Sequence, residues 1–287
     1  MLLLRKINED LETVKSISTI TSIYQEIAQM KMKQIRGSVL ENRFFLEEIL
    51  KVYRRARKAF LVLLEKEGKK NKTETSIFPF LKKREQTAIV FLSANQPFYG
   101  PLISNVWQNC YSFLEKNKAD LVVVGRIGKY LSERSGLGHK IFFYELNDEK
   151  PEKEVIKEIV EFVKDYGRVI VFHGKYQTVA RQEIVKSEIS TQPLMKSGEE
   201  EKVKLYLFEP SPKEILEFFE TEIFSALLNQ TILEHQLAKF SSRMVAMYRA
   251  TENAKKMERE LEIKKRKLKK ELANKEQINL FLGSQLW

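Results

Sequence analysis

The residues best able to carry chemistry in this chain are three histidines, one cysteine and one glycine-containing turn. Gly125-Arg126-Ile127-Gly128-Lys129 follows a predicted strand, but its glycine spacing matches neither phosphate-binding pattern, G-x-x-x-x-G-K-[ST] or G-x-G-x-x-G. A strand-to-helix turn accounts for it. His139, His173 and His235 fall in separate predicted elements without metal-site spacing, and no histidine or aspartate pattern surrounds Cys110. The sequence therefore predicts packing or surface roles for these residues, with no catalytic residue, no metal ligand and no cofactor.

Composition limits the class of protein and its partners. The 287 residues contain 50 Lys and Arg against 39 Asp and Glu, and the resulting net charge of +11 favours an anionic partner: nucleic acid, a membrane surface or an acidic protein. A single cysteine excludes an internal disulfide and fits a reducing compartment. No run of eighteen apolar residues occurs, so the sequence predicts a soluble or peripheral protein.

The elements that must position these residues begin with a very long helix in the last quarter of the chain. Ser211-Pro212-Lys213-Glu214 combines a capping serine, a proline at the first helical position and the glutamate of a capping box. Neither Gly nor Pro recurs before Gly283. Such a helix is about 105 Å long, about twice the diameter of a compact globule of this chain length. It is therefore expected to project. Its apolar stripe is Leu233, Leu237, Phe240, Met244, Met247, Ala254, Met257 and Leu261.

A second long helix is predicted from Leu2 to Glu67, where Gly37 is the only glycine and proline is absent. Its apolar residues also recur three and four positions apart, and laying this stripe against that of the C-terminal helix predicts an antiparallel intramolecular coiled coil. The stripe is Ile7, Leu11, Val14, Ile17, Ile20, Tyr24, Ile27, Met30, Val39, Phe44, Phe45, Ile49, Val52, Ala56, Phe60 and Leu63.

The middle of the chain predicts an α/β domain. Short continuous apolar runs, typical of strands buried on both faces, alternate with helical patterns. Strands are predicted at 87–93, 119–125, 139–145 and 168–173, helices at 102–115 and 152–166, and edge strands or a hairpin at 181–190 and 202–208, with 191–201 a surface loop. The predicted fold is α/β: a long antiparallel two-helix coiled coil with an inserted Rossmann-like domain. Its segments are 1–67 (helix), 68–85 (linker), 86–210 (α/β body) and 211–287 (helix).

The end of the C-terminal helix carries a basic run and then an apolar tip. Lys264 to Lys270 places charges all around the helix, which predicts that no pure coiled-coil seam continues there. Three interpretations of this run stay open: a solvated helix face, a nucleic-acid-binding surface, or a helix enclosed by an electronegative protein sleeve. Burial of each large apolar side chain of the tip would contribute about 1.5–3 kcal/mol. The tip, Ile278, Leu280, Phe281, Leu282, Leu286 and Trp287, is therefore expected to insert into a partner.

One block of this helix resembles a known family. Ser242-Arg243-Met244-Val245-Ala246-Met247, followed by Ala250-Thr251-Glu252-Asn253-Ala254, is similar to the R-M-V-A-M-x-x-A-T-[DE]-N segment of the gamma subunit of rotary ATP synthases. Phe208 to Lys213 is similar to the family's Y-E-P-x-P-x entry to its C-terminal helix. Thr13 to Lys33 follows the family's N-terminal pattern, S-V-x-x-T-x-x-I-T…A-x-x-K-[ML]-[RK]. The resemblance covers essentially the whole chain.

The resemblance implies a central-stalk rotor subunit that couples transmembrane proton flow to ATP synthesis or hydrolysis and has no catalytic site of its own. Implied partners are the alpha and beta subunits of the catalytic ring, the epsilon subunit and the membrane c-ring, with no nucleic acid. The implied location is peripheral, at the cytoplasmic face of a bacterial membrane. Residues implied to contact the ring are Arg243, Met244, Val245, Met247, Lys269, Lys270, Asn274, Glu276, Phe281, Leu286 and Trp287. Those implied at the epsilon and c-ring foot are Tyr206, Phe208 and Glu209.

The chain also departs from the family pattern. The family's S-x-D-R-G-L-C-G-G-L-N loop is replaced by Ser93 to Ile103, and Lys269-Lys270 stands in place of an Arg-Gln pair, which removes bidentate contacts to carboxylates. Three alternatives stay open: a basic coiled-coil adaptor for nucleic acid or a membrane surface, an α/β enzyme with helical arms, and a gamma-like paralogue of another rotary ATPase.

Overall fold

The computed structural model of the protein describes residues 2–66, 84–136, 138–189, 209 and 211–284. The predicted loop 191–201 and strand 202–208 lie outside these residues, as does the predicted linker up to residue 83; Arg84 and Glu85 already belong to the first strand. The elements in chain order are α1 (Leu2–Lys66), β1 (Arg84–Leu92), α2 (Leu102–Leu114), β2 (Asp120–Val124), α3 (Arg126–Glu133), β3 (Ile141–Tyr144), α4 (Lys153–Val163), β4 (Tyr166–Tyr176), β5 (Gln182–Glu188) and α5 (Pro212–Ser284).

Five strands form one mixed sheet in the order β3-β2-β1-β4-β5. The first four are parallel, with Val90 of β1 opposite both Val122 and Val171; among the described residues β5 is the outermost strand, antiparallel to β4 in a hairpin. The predicted α/β fold class is therefore confirmed. β4 begins earlier than predicted, at Tyr166, and continues to Tyr176. The predicted strand-to-helix turn at Gly125 is also confirmed, and the helix that follows it is α3.

The continuous apolar runs of the central strands are explained by burial on both faces. Successive side chains of a strand point to opposite faces, so Val90 belongs to a core cluster with α4 and the first half of α5, whereas Ile89 and Phe91 belong to a second cluster with α2. All three side chains are fully buried. The aromatic pair Phe91 and Trp107, with ring centroids 5.2 Å apart, ties α2 to the sheet.

The chain folds into two compact units. One comprises Met1–Met30 and Arg243–Trp287, and the other comprises Lys31–Ser242. We refer to them as the coil unit and the sheet unit. Each long helix therefore contributes residues to both, and α1 passes through Gly37 without a break. The sheet unit includes the strands together with residues 31–66 of α1 and 212–242 of α5.

In the coil unit, α1 and α5 run antiparallel with a register set by two contacts. Thr21 Oγ1 and Thr251 Oγ1 are 2.8 Å apart, and Lys15 Nζ lies 3.6 Å from Glu258 Oε1. The inner positions of both helices alternate strictly by three and four residues, as heptads require. They are Leu4, Ile7, Leu11, Val14, Ser18, Thr21, Gln25 and Ala28 on α1, and Met244, Met247, Thr251, Ala254, Glu258, Leu261, Lys265, Leu268 and Leu272 on α5; all are buried or half-buried.

This register corrects part of the predicted stripes. Ile17, Ile20, Tyr24 and Met30 were expected in the seam, and they are exposed by 39–64%. The inner positions that follow Val14 are instead Ser18, Thr21, Gln25 and Ala28. The prediction from hydrophobicity was wrong here because small and polar side chains occupy the seam. One of them, Thr21, forms a hydrogen bond with Thr251 across it.

Two further corrections concern α5. Met257 is 53% exposed, and the adjacent Glu258 takes the inner position and pairs with Lys15. The seam also continues through the basic run, contrary to the prediction, because Lys265 and Leu268 are half-buried. A lysine can occupy such a position because its aliphatic stem packs while the ammonium group reaches water.

Candidate interaction surfaces and the anchoring of α5

The turn at Gly125 is filled by protein rather than open to a phosphate. Ile127 N–H donates to the Ala94 carbonyl at 2.9 Å, and Arg126 N–H donates to Asn95 Oδ1 at 2.9 Å, so these N–H groups of α3 already have acceptors. A Cβ on Gly128 would lie 2.7 Å from the Cβ of Ser93. The glycines are therefore explained by close packing on the residues that follow β1, and the turn is structural.

Two of the three histidines are buried in the sheet unit, in packing roles as predicted. Gly174 N–H donates to His235 Nδ1 at 3.0 Å, so the neutral ring carries its proton on Nε2, which lies 3.2 Å from the Ser93 carbonyl. His173 Nε2 lies 2.8 Å from Ser187 Oγ. Burial lowers the pKa of His173, and it lowers the pKa of His235 well below its usual value, assisted by the positive charge of Lys239.

The stability of the sheet unit is expected to fall in mild acid. The unfolded chain binds protons at these imidazoles below about pH 6.5, whereas the folded chain resists them, so the free energy of unfolding should fall by up to about 1.4 kcal/mol per pH unit for each histidine. Denaturant unfolding between pH 5 and 7.5 measures this slope. His235→Gln should flatten it, while His139→Gln, at a partly exposed position, should not. An unchanged slope in His235→Gln would contradict the assignment of the pH dependence to the burial of His235.

A buried ion pair links α5 to the loop after β3. Lys239 Nζ lies 2.5 Å from Asp148 Oδ1, with side-chain exposures of only 5% and 1%. The other carboxylate oxygen, Oδ2, accepts from the N–H groups of Asn95 and Gln96, both at 2.8 Å. Gln236 Nε2 donates to the Asp148 carbonyl at 2.9 Å. The carboxylate is thus fully hydrogen-bonded, which is the condition for retaining a charge away from water.

Sequence analysis did not single out Lys239, Asp148 or Gln236. One signal was available on α5: Lys239 interrupts the otherwise apolar run Leu237 to Phe240, in a helix segment whose spacing predicts burial. A charged residue at such a position requires a buried partner. Asp148 carries no such signal, because it lies in a polar loop 91 residues away.

The first group of predicted ring-contacting residues lies near the middle of α5. Arg243 and Met247 are 2% and 7% exposed, so their side chains already lie within the fold of this chain. Met244 and Val245 are half-buried, and Met244 is an inner position of the coiled coil. A partner could therefore reach Val245 more readily than Arg243 or Met247. The contact role of this group stays a prediction.

The second group lies where α5 extends past α1. The register of the coil unit places Leu2, the first residue of α1, opposite Lys270, and every side chain from Ala273 to Leu282 is exposed. Of the predicted ring contacts, Asn274, Glu276 and Phe281 are exposed on this stretch, and Lys269 and Lys270 are exposed just before it. Leu286 and Trp287 lie outside the described residues.

The predicted foot residues are only partly described. Glu209 is exposed at a bend shortly before α5, while Tyr206 and Phe208 lie outside the described residues. Among the helices that the structure describes, none combines the length and apolar content needed to cross a membrane.

Comparison with known proteins gives a consistent family. The sequence profile of a family described as ATP synthase matches residues 3–283. The ATP synthase gamma chain of Rickettsia canadensis (strain McKiel) is 22% identical over 291 residues, covering 98% of this chain and 98% of that protein. The ATP synthase gamma chain of Methylacidiphilum infernorum (isolate V4) is 26% identical over 304 residues, covering 96% of each.

Solved structures share the fold at low identity. A chain in the cryo-EM structure of the Euglena gracilis mitochondrial ATP synthase rotor aligns with a TM-score of 0.62 and 18% identity, covering 94% of this chain and 99% of that one. A chain from the central stalk and c-ring of the Tetrahymena thermophila mitochondrial ATP synthase aligns with a TM-score of 0.54 and 16% identity, covering 80% of this chain and 99% of that one. The chain belongs to the ATP synthase family whose profile it matches, in which its curated relatives are gamma chains.

Proposed function

We propose that this protein is the central-stalk rotor subunit of a rotary ATP synthase, which turns inside a ring of alpha and beta subunits and couples proton flow across the membrane to ATP synthesis or hydrolysis. The observation that carries the proposal is the coil unit, an antiparallel pair of helices in which exposed basic side chains of α5 lie alongside the start of α1 and exposed apolar side chains follow where α5 continues beyond it. Such an end has the composition of a shaft that a protein ring encloses.

The proposal assigns different roles to the subunits of the complex. The beta subunits carry the ATP chemistry, and this chain passes torque as a non-catalytic subunit. The lysines of the run from Lys264 to Lys270 face an electronegative sleeve, and the apolar end of α5 gains about 1.5–3 kcal/mol for each large side chain that the ring buries. In the proposed complex the epsilon subunit and the c-ring bind near Glu209. The protein then lies peripherally, at the cytoplasmic face of a bacterial membrane. No role in nucleic-acid binding is proposed.

A single introduced thiol tests the rotation directly. Ser112 is exposed on α2, whereas Cys110 is fully buried and burial raises the pKa of its thiol. Because the thiolate is the reactive form, we expect maleimide reagents to label Ser112→Cys and to leave the unsubstituted chain unlabelled. The labelled chain is reconstituted with the alpha and beta subunits of its own organism, the ring is fixed to glass, and a bead is attached through the introduced thiol.

Addition of MgATP should drive rotation of the bead in one direction. A ring without this chain, or with the unsubstituted chain, should show no rotating beads. If the reconstituted complex hydrolyses ATP while the attached bead only fluctuates, the rotor function is refuted.

A further inference from the structure

The part of α5 within the sheet unit is held in two different ways. From Leu216 to Ile232 its contacts with the core are mainly apolar, through side chains such as Ile223, Phe224 and Leu228. One buried polar contact lies among them, in which Tyr53 O–H donates to Glu220 Oε1 at 2.6 Å. From His235 to Ser242 polar bonds dominate, and His235, Gln236, Lys239, Ser241 and Ser242 are each at most 6% exposed. We call residues 235–242 the polar collar. Apolar burial is non-directional, whereas hydrogen bonds require particular angles, so the collar, where buried hydrogen bonds are most numerous, is the part best able to fix the rotation of the helix.

The bonds of the polar collar reach separate segments of the sheet unit. His235 and Lys239 contact the Ser93 carbonyl after β1, at 3.2 and 3.4 Å. Ser242 Oγ donates to the Tyr99 carbonyl at 2.7 Å, and Ser241 Oγ donates to the Val179 carbonyl at 2.8 Å. Further bonds go to Gly174 of β4 and to Asp148 after β3. The attachment is therefore spread over the ends of β1, β3 and β4, the turn between β4 and β5, and the loop before α2.

The same residues also surround much of the helix. An α-helix turns by about 100° per residue, so the arc from Ser241 through Ser242 and His235 to Gln236 covers about 220° of its circumference. Lys239 lies within this arc, between His235 and Gln236. Between the bonds the fit is close, because a Cβ on Gly174 would lie 3.2 Å from the Cβ of Ala238. A helix that is hydrogen-bonded over more than half of its circumference cannot rotate about its axis without breaking several of these bonds at once.

We propose that the polar collar is the joint at which torque passes between the sheet unit and α5, and that Lys239 and Asp148 are its central positioning pair. The proposal rests on the proposed rotor function. α5 is one uninterrupted helix from Pro212 to Ser284, so the residues that fix its rotation in the sheet unit are those through which torque enters or leaves it. The pair contacts no nucleotide and acts only by holding α5 in rotational position under load.

The test compares proton pumping with ATP hydrolysis in the complete complex. Lys239→Met/Asp148→Asn removes both charges, so no charge is left buried alone, and it keeps an acceptor for the Asn95 and Gln96 N–H groups. Lys164→Met/Glu161→Gln is the matched control, because it removes an ion pair at the C-terminal end of α4 in the same unit, with side chains 24% and 50% exposed. Each variant is assembled with its own alpha and beta subunits and membrane sector in vesicles, and protons pumped per ATP are measured as the opposing gradient grows.

Loss of one charge-assisted hydrogen bond corresponds to about a tenfold rise in the population of slipped states. We therefore expect the collar variant to hydrolyse ATP at the rate of the unsubstituted complex while protons pumped per ATP fall progressively under load, and the control to match the unsubstituted complex. Ser242→Ala removes one hydrogen bond of the collar and no charge, so it should show a smaller fall in protons pumped per ATP. This variant replaces the double variant as the test if the double variant does not assemble.

Two results overturn the joint. One is an unchanged pumping ratio in both collar variants, and the other is a parallel loss of hydrolysis and pumping, which would indicate only a damaged fold. Failure of the proposed rotor function would give a different result from failure of the joint, because the unsubstituted chain itself would then support no proton pumping with its alpha and beta subunits.

Discussion

Lys239→Met is expected to lower the free energy of unfolding of the sheet unit by about 3–5 kcal/mol, the cost of breaking a buried ion pair by removing one partner. The loss arises on the other side of the pair. Asp148 would stay buried with its Oδ1 facing methionine, and only the two backbone N–H groups on Oδ2 would still compensate its charge. Lys239 also lies 5.5 Å from the ring centroid of Tyr99, and this cation–π contact is lost with it.

Denaturant unfolding followed by the fluorescence of Trp107 measures this change, because that side chain packs on Phe91 within the sheet unit. Trp287→Phe as background leaves Trp107 as the only tryptophan of the chain. Lys164→Met is the control, since its ion pair with Glu161 is partly exposed, and ion pairs near the surface contribute about 0–1 kcal/mol. Lys239→Met/Asp148→Asn should lose less than Lys239→Met alone, because it leaves no unpaired charge. Equal losses for Lys239→Met and Lys164→Met would contradict the stabilising role of the buried pair.

The α/β layer was predictable because its strands obey a local rule. Runs such as Thr87 to Leu92 are apolar at consecutive positions, and burial on both faces of a parallel sheet requires that pattern. The start of α5 and its great length were predictable for the same kind of reason, because Pro212 starts the helix and no further helix breaker appears until Gly283. Local chemistry therefore determines which elements form in this chain.

The register between α1 and α5 could not be read in the same way. In the coil unit the apolar residues Ile17, Ile20 and Tyr24 lie one position before the inner Ser18, Thr21 and Gln25. Which of the two stripes faces α5 depends on how both helices align over their shared length, and here the pairing of Thr21 with Thr251 selects the less apolar one. The exposed stripe remains available to the ring that the proposed function places around this unit.

The polar collar was not predictable for a related reason. Its partners come from the ends of β1, β3 and β4, from the turn between β4 and β5 and from the loop before α2, and the central pair joins residues 91 positions apart. A sequence shows that Lys239 interrupts an apolar segment, but only the fold shows that the loop after β3 brings Asp148 to it. Residues that position a helix in three dimensions leave a weaker trace in the sequence than those that form it.

Gly125→Ala is the second substitution expected to have a large effect, about 2–6 kcal/mol of lost stability. Two independent costs combine at this position. Gly125 has φ +105° and ψ 147°, a region almost reserved for glycine in which another residue loses about 1–3 kcal/mol. Its added Cβ would also lie 2.8 Å from the backbone nitrogen and 2.9 Å from the carbonyl carbon of Ala94. Crowding of this kind costs about 1–3 kcal/mol more.

The crowding cannot be relieved easily, because backbone bonds hold both sides. The Ala94 carbonyl accepts from Ile127 N–H, and Gly125 N–H donates to the Tyr144 carbonyl, each at 2.9 Å. Gly136→Ala is the matched control: Gly136 also has a positive φ, +66°, but nothing lies within 4 Å of an added Cβ. Unfolding followed at Trp107 should give a larger loss for Gly125→Ala, and the difference measures the crowding together with the stricter backbone requirement at Gly125. Equal losses would mean that Ala94 moves aside freely, and the turn would then have room for a ligand that close packing otherwise excludes.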